Sequence, residues 1–139
     1  MEFVIEETLS KELELATMEN EIPVSALIVF NNEIICSAHN ERIARNDVTA
    51  HAEVLAIKKA AEKLGDWRLN GCDLYVTLKP CKMCEEIIKE SRINRVFYYL
   101  DRDQTKKGFY KTTFELLTEK SSNSFQQLFS DFFKDNCNR

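Results

Sequence analysis

Glycine and proline are scarce in this sequence. Three Gly and two Pro among 139 residues leave no room for a flexible linker or a low-complexity tract. A chain of this length can bury about two-thirds of the surface that its unfolded form exposes, which is enough for one hydrophobic core. We therefore expect a single domain over residues 1–139.

Long apolar runs are also absent. No stretch approaches the ~20 consecutive apolar residues that cross a bilayer. Residues 1–15 carry acidic side chains where a secretory signal has a basic flank and a long apolar run. We expect a cytoplasmic protein with no membrane partner.

The cysteine count does not favour a disulfide framework. Five Cys is an odd number, and the chain has no export features. A metal site or unreactive thiols are the natural alternatives. We expect Cys36, Cys72 and Cys137 to be unreactive, which leaves Cys81 and Cys84 for chemistry.

The net charge of −4 at first argues against nucleic acid, which needs a basic surface. The charge is unevenly distributed, however. Residues 1–41 hold one basic and nine acidic residues, whereas residues 42–139 hold eighteen basic and fourteen acidic ones. This distribution fits an RNA-binding surface, and it equally fits an acidic helix with ordinary surface lysines. Charge alone does not decide the substrate.

Hydrophobic periodicity predicts the first elements. An N-terminal helix ending near Asn20 follows from apolar residues that recur every three or four positions, namely Ile5, Leu9, Leu13 and Ala16. Two apolar runs between Val24 and His39 flank Asn31 and Asn32. Asn tolerates the positive φ that a two-residue turn requires, so this stretch predicts an antiparallel hairpin.

The remaining elements predict an α/β chain. A second helix is predicted to end at Gly65, and its first turn contains His51 and Glu53. Its apolar face is formed by Val54, Ile57, Ala61 and Leu64. A strand over 74–78, a helix opening at Cys81 with Pro80 at its start, and a strand over 96–100 form a strand–helix–strand unit with parallel strands. A C-terminal helix facing the core, rather than a platform for stacking bases, is predicted from Phe125, Leu128, Phe129, Phe132 and Phe133.

The chemistry is concentrated at two predicted helix starts. Cys81 and Cys84 are three residues apart, and the positive end of a helix dipole favours the thiolates that bind zinc. His51 supplies a third ligand. Structural zinc sites normally have four protein ligands, whereas three leave a position for water, as in a catalytic site.

Glu53 lies two residues after His51 and is placed to reach that water without being a ligand. A carboxylate there can take up a proton and pass it to a leaving amine. Each motif is weak alone, because a lone Cys-x-x-Cys also occurs in redox pairs and zinc ribbons. His-x-Glu followed by Pro-Cys-x-x-Cys, with a strand between them, is the signature of the zinc-dependent base deaminases.

With these motifs, the chain resembles the bacterial tRNA adenosine deaminases of the cytidine deaminase-like superfamily. The resemblance covers most of residues 3–100, and a weaker similarity is present at 130–133. The segments that carry it are 21–29, Asn40, 47–53, 74–78, 80–84 and 91–96. It implies a three-layer α/β/α fold around a mixed sheet of about five strands. It also implies a zinc-dependent hydrolase that converts adenosine to inosine at the first anticodon position of tRNA.

The resemblance further implies a homodimer whose RNA sites draw on both subunits. It assigns Asn40 to the target purine, although a turn residue at the hairpin end is the alternative. The backbone near Ala52 and Cys84 is implied to hold the hydroxide and the leaving group. A basic rim for an anticodon stem-loop is expected from Lys79, Lys82, Lys106, Lys107 and Lys111.

The sequence departs from the family at a few positions. Ser25 stands where Gly is usual, Val48 where Pro is usual and Lys79 where Glu is usual, and residues 101–112 differ from the family's Gly-richer loop.

Two functions are alternatives to deamination of tRNA. One is deamination of a free base or nucleoside such as guanine or cytosine, and the other is a non-catalytic RNA-binding subunit with structural zinc, against which Glu53 argues.

Overall fold

The computed structural model describes residues 1–101, 113–116 and 119–135. Its elements, in chain order, are α1 (Glu2–Met18), β1 (Ser25–Phe30), β2 (Glu33–His39), α2 (Ala52–Leu64), β3 (Asp73–Leu78), α3 (Lys82–Glu90), β4 (Arg95–Leu100), β5 (Thr113–Leu116) and α4 (Glu119–Asp135). The predicted helices and strands are present, and β5 is an element that periodicity did not locate. No helix in these described ranges is long and apolar enough to cross a membrane.

The five strands form one mixed sheet in the order β2-β1-β3-β4-β5. Strand β1 runs antiparallel to β2 and β3, whereas β3, β4 and β5 are parallel to one another. Helix α3 connects β3 to β4, as a parallel pair requires. The prediction of a mixed sheet of about five strands is confirmed.

Helices cover both faces of the sheet. Along β1 the side chains alternate between two hydrophobic clusters, with Ala26 and Ile28 in one and Leu27 in the other. The first cluster contains the apolar faces of α2 and α3, and the second contains that of α1 together with Phe125 of α4. The fold therefore has the three layers, α/β/α, that were expected.

The Asn-Asn turn joins β1 to β2 as predicted. Asn31 and Asn32 have φ values of 51° and 63°, which suit a two-residue hairpin turn.

Strand β2 lies at the edge of the sheet. Two lysines of α2 cover this edge, because Lys59 Nζ donates to the Ser37 carbonyl at 2.7 Å and Lys63 Nζ donates to the Ile35 carbonyl at 3.1 Å. Charged groups on an edge strand oppose pairing with another chain.

Two helix starts differ from the prediction by one or two residues. His51 and Cys81 precede α2 and α3 as their N-caps, with extended backbone. Their carbonyls accept the first helical hydrogen bonds, from Leu55 and from Glu85. Pro80 therefore lies before the cap of α3, and its predicted place at the first helical position is wrong.

Candidate metal centre and substrate pocket

The amino ends of α2 and α3 meet beside the end of β3. Helix α2 packs on β1 and β2, and α3 follows β3 directly, so each N-cap is held by the sheet that supports its helix. This arrangement brings His51 close to Cys81 and Cys84, although about thirty residues separate them in the chain.

The three side chains have the spacing of a zinc ligand set. His51 Nδ1 lies 3.9 Å from Cys81 Sγ and 3.5 Å from Cys84 Sγ, and all three ligand atoms lie within 4.8 Å of one another. A tetrahedral zinc with ordinary bond lengths places sulfur and nitrogen ligands roughly 3.6 Å apart. The three residues therefore fit a zinc ion, and a fourth position is left for a non-protein ligand.

The electrostatics of the two cysteines differ. Hydrogen bonds from Cys84 and His51 lower the pKa of the Cys81 thiol from 9.0 to about 3. The pKa of Cys84 is raised, because it hydrogen-bonds to Cys81 and is buried beside Glu53. Of the two thiols, Cys81 therefore has the lower pKa and ionises more readily. Both side chains lie at the positive end of α3, which favours negative charge.

Glu53 lies in the first turn of α2 with its side chain buried, 1% exposed. It lies close enough to Cys84 to help raise the pKa of that thiol, and it lines the pocket beside His51 and Cys81. A carboxylate in this place adjoins the ligand set without belonging to it. This is the position that the spacing His51-x-Glu53 predicts.

A cavity of about 160 Å³ opens at this point. Its polar lining is Asn40, Arg42, His51, Glu53 and Cys81, and its apolar lining is Ile22, Val24, Leu78, Phe129 and Phe133. A mostly apolar cleft with a few convergent polar groups is the usual form of a small-molecule site. The cavity can therefore hold a planar base against the ligand set.

Asn40 lies at the end of the hairpin and at the wall of the pocket. It follows β2 directly and its N–H donates to the Val24 carbonyl at 3.0 Å, so it does end the hairpin. It is also buried and lines the pocket. Ala52, the first residue of α2, is fully buried beside His51.

The pocket residues that the sequence did not reveal include two aromatic residues of α4 and one arginine. Phe125 and Phe132 of α4 are buried, as a core-facing helix predicts, but Phe129 and Phe133 line the pocket. All four rings belong to one stripe of α4, so their spacing does not distinguish the two that face the cavity. Arg42 lies two residues after Asn40, and nothing in its local sequence distinguishes it.

The predicted basic rim needs one correction. Lys79 is buried, 7% exposed, with Nζ 5.9 Å from the centroid of the Tyr98 ring. Its stem packs at the end of β3, where its N–H donates to the Leu100 carbonyl at 2.8 Å, so it is not an open contact for phosphate. Lys82 is exposed, as expected. Lys106, Lys107 and Lys111 lie outside the described residues, as do Arg102, Asp103 and Cys137.

Residues 4–100 match the family described as the cytidine and deoxycytidylate deaminase zinc-binding region. The fold and the site therefore define a zinc deaminase of this class, and Zn²⁺ is its cofactor. A curated relative, the tRNA-specific adenosine deaminase of Bacillus subtilis, is 39% identical over 91% of this chain and 78% of its own length. The chain belongs to the tRNA-specific adenosine deaminase family.

Solved structures with the same fold include a tRNA deaminase and a guanine deaminase. One, from a study of A-to-I editing by tRNA deaminases at the wobble position of transfer RNA, has a TM-score of 0.79 and 32% identity. That match covers 88% of this chain and 99% of the other. A guanine deaminase from Bacillus subtilis has a TM-score of 0.61 and 30% identity, covering 91% of this chain and 93% of its own.

Proposed function

We propose that this chain is a zinc deaminase domain over residues 1–139 that hydrolyses adenosine to inosine and ammonia at the wobble position of tRNA. His51, Cys81 and Cys84 hold the metal, and Glu53 transfers the protons. One observation carries the proposal: His51, Cys81 and Glu53 line one pocket, and Cys84 completes the ligand set beside them, in a chain 39% identical to a tRNA-specific adenosine deaminase.

The chemistry divides between the cofactor and the chain. When bound, Zn²⁺ supplies hydroxide near neutral pH, because it lowers the pKa of water to about 7. The Glu53 carboxylate takes up a proton from the water and delivers it to the departing amino nitrogen. The reaction needs one water per adenosine and no oxidant. Proton transfer by a positioned carboxylate typically contributes ~10²–10⁴-fold.

The pocket residues orient the base. The Asn40 amide carries both donors and an acceptor, which suits the edge of a purine. The Ala52 N–H is at the first position of α2 and has no partner within the helix, so it can donate to the reacting group. Phe129, Phe133 and Leu78 offer apolar and aromatic surface to the ring faces.

Basic side chains hold the RNA. Arg42 lines the pocket and Lys82 is exposed at the start of α3, so both are available to phosphates. We assign Lys106 and Lys107 to the same role from sequence. An anticodon loop suits such a site, because its bases are already unpaired and cost little to splay outward.

Deamination of a free base is the second candidate. The 30% identity with a guanine deaminase over 93% of that chain favours it, and the same ligand set would serve. The third reading, a non-catalytic subunit, leaves no role for Glu53 buried in the pocket beside Cys84.

We place the enzyme in the cytoplasm, where tRNA substrates are found, and we propose a homodimer. The family assignment supports the dimer. So do the exposed apolar side chains of Ile43 and Val48, 50% and 68% exposed, in the same segment as Arg42. Sedimentation at micromolar concentration tests this; a monomer that binds a stem-loop and is fully active would contradict it.

The function is tested with matched substrates. The purified protein is incubated with an anticodon stem-loop bearing adenosine at the wobble position, with the same stem-loop bearing that adenosine one position later, and with free adenosine, guanine and cytosine. Nucleoside analysis should find inosine only in the first. Turnover of a free base together with inert stem-loops would replace the proposal with the second candidate.

Salt dependence tests the mode of RNA binding. Stem-loop affinity should fall steeply as salt rises, because each neutralised phosphate releases counterions. Changing Lys106 and Lys107 together to Ala should weaken binding and flatten the salt slope while zinc content stays unchanged. The matched control changes Lys11 and Lys58, both exposed, and should leave the slope as it was.

A further inference from the structure

Glu21 is fully buried, 0% exposed, although it is a charged residue between α1 and β1. Its position is set by the end of α1. Asn20 adopts φ 60°, and the N–H groups of Asn20 and Glu21 donate to the carbonyls of Thr17 and Ala16 at 3.1 and 2.9 Å. These are the two hydrogen bonds of a Schellman motif. The helix end therefore places Glu21 at one point with little freedom.

The Glu21 carboxylate accepts two backbone hydrogen bonds from a segment more than twenty residues away. Oε1 accepts from the Ile43 N–H at 3.2 Å, and Oε2 accepts from the Ala44 N–H at 2.8 Å. These donors lie in a turn that begins like a helix, because the Arg45 N–H donates to the Glu41 carbonyl at 2.9 Å. The first N–H groups of such a turn have no partner within it, and Glu21 satisfies two of them.

This turn carries residues into the pocket. Asn40 and Arg42 line the cavity immediately before the two N–H groups that Glu21 binds. Ile22 and Val24, which follow Glu21 in the sequence, also line the cavity. The carboxylate thus joins the two segments that form one side of the pocket.

We propose that Glu21 is a positioning residue for substrate binding, which holds the turn over 41–46 so that Asn40 and Arg42 face the bound base and its phosphate. The change in KM expected when Glu21 is replaced rests on the proposed function. Beyond this turn the segment that leads to His51 has further hydrogen bonds of its own, such as that from the Ala50 N–H to the Asp47 carbonyl at 3.2 Å, and an unchanged zinc content would separate the role of Glu21 from metal binding. Asp47 Oδ1 accepts from the backbone N–H and the hydroxyl of Thr49, at 2.8 and 2.7 Å, just before His51.

Amide hydrogen exchange tests the contact without reference to activity. In the wild-type protein the Ile43 and Ala44 amides should be protected, although both side chains lie at the surface. In Glu21→Gln, which presents an NH₂ group to one donor, their exchange should accelerate at least tenfold while the Ile28 amide in β1 stays protected. Unprotected Ile43 and Ala44 amides in the wild type would overturn the inference even if the variant failed to fold.

Kinetics test the consequence, with whichever substrate the wild-type enzyme turns over. Glu21→Gln should raise KM about tenfold and change kcat less than threefold, with zinc content unchanged, and Glu21→Asp should recover part of the loss because it keeps the carboxylate. Ser25→Ala, which removes a buried hydrogen bond to α1, controls for lost stability and should leave KM unchanged. Equal KM values for Glu21→Gln and wild type would overturn the inference, whereas failure of the stem-loop as a wild-type substrate would overturn only the proposed function.

Discussion

His51 Nδ1 lies 3.5 Å from Cys84 Sγ, across the gap between the amino ends of α2 and α3. The imidazole is carried by an N-cap, and the sulfur lies in the first turn of the facing helix. Because α2 packs on β1, β2 and α3, and Ile88 of α3 lies in the same core cluster as residues of β3 and β4, the distance is set by the fold and not by the flexible ends of side chains. The proposed metal centre is therefore preorganised.

Cys84→Ala should remove the metal. The wild-type protein should hold about one zinc per chain, and the variant close to none, because two remaining ligands bind zinc far more weakly than three. Metal analysis after gel filtration measures this. Cys72→Ala, at a buried cysteine in the core cluster away from the ligand set, is the matched control and should keep its zinc. A Cys84 variant with full zinc occupancy would show that this sulfur is not a ligand.

Glu53→Gln should abolish most turnover while the metal and the fold remain. The amide keeps the size of the side chain but cannot accept the proton, so the rate should fall by ~10²–10⁴-fold. Single-turnover rates, zinc content and stem-loop affinity measured together separate chemistry from binding. Glu62→Gln, on an exposed position of the same helix, should behave as wild type. Near-normal deamination by Glu53→Gln would exclude its role in proton transfer.

His39 should make stability depend on pH. Its Nδ1 lies 2.7 Å from Glu12 on α1, its Nε2 lies 2.7 Å from Glu19 at the C-cap of that helix, and Glu41 lies nearby. Burial alone lowers the pKa of His39, but the hydrogen bonds to Glu12 and Glu19 outweigh burial and raise it above 6.5. Only an imidazolium can donate to both carboxylates.

The sign of this effect follows from linkage. A pKa that is higher in the folded than in the unfolded state gives stability that is fully present below pH 6.5 and is lost as the pH rises through the folded value. His39→Gln should therefore reduce the free energy of unfolding by about 1–3 kcal/mol at pH 5.5, and by progressively less above pH 6.5. Urea denaturation at a series of pH values measures the difference.

Ser37→Ala, which removes a neutral donor to Glu12, should show a difference that does not vary with pH. If the loss of unfolding free energy in His39→Gln were also independent of pH, the assignment of a raised pKa to His39 would be refuted.

Ser25→Ala should lower the free energy of unfolding by about 1 kcal/mol, the usual value of one buried hydrogen bond. Ser25 stands where the family usually has Gly, and its hydroxyl donates to the Leu9 carbonyl of α1 at 2.8 Å in a fully buried position. This bond ties α1 to β1, and Gly could not form it. Ser124→Ala, on the exposed side of α4, should change stability by less than about 0.5 kcal/mol. Equal stability of Ser25→Ala and wild type in thermal unfolding would contradict this role.

The sequence by itself determined the ligand types, the hairpin and, to within one or two residues, the two helix starts. Each depends on a few neighbouring residues. Asn31 and Asn32 accept positive φ, and Gly65 takes the left-handed position that ends α2. His51-x-Glu53 and Cys81-x-x-Cys84 each span an N-cap and the first turn of the helix that follows. Short-range rules of this kind hold in any tertiary context, so the α/β class and the metal centre could be predicted.

Only the tertiary structure decided which other residues reach the site. Phe129 and Phe133 share one helix with the buried Phe125 and Phe132, and periodicity cannot say which aromatic faces a cavity. Lys79 is basic in sequence yet buried against Tyr98. Glu21 binds N–H groups more than twenty residues away. Contacts of this kind depend on how α4, β3 and the turn over 41–46 pack against one another, and packing between distant segments leaves no periodic trace along the chain.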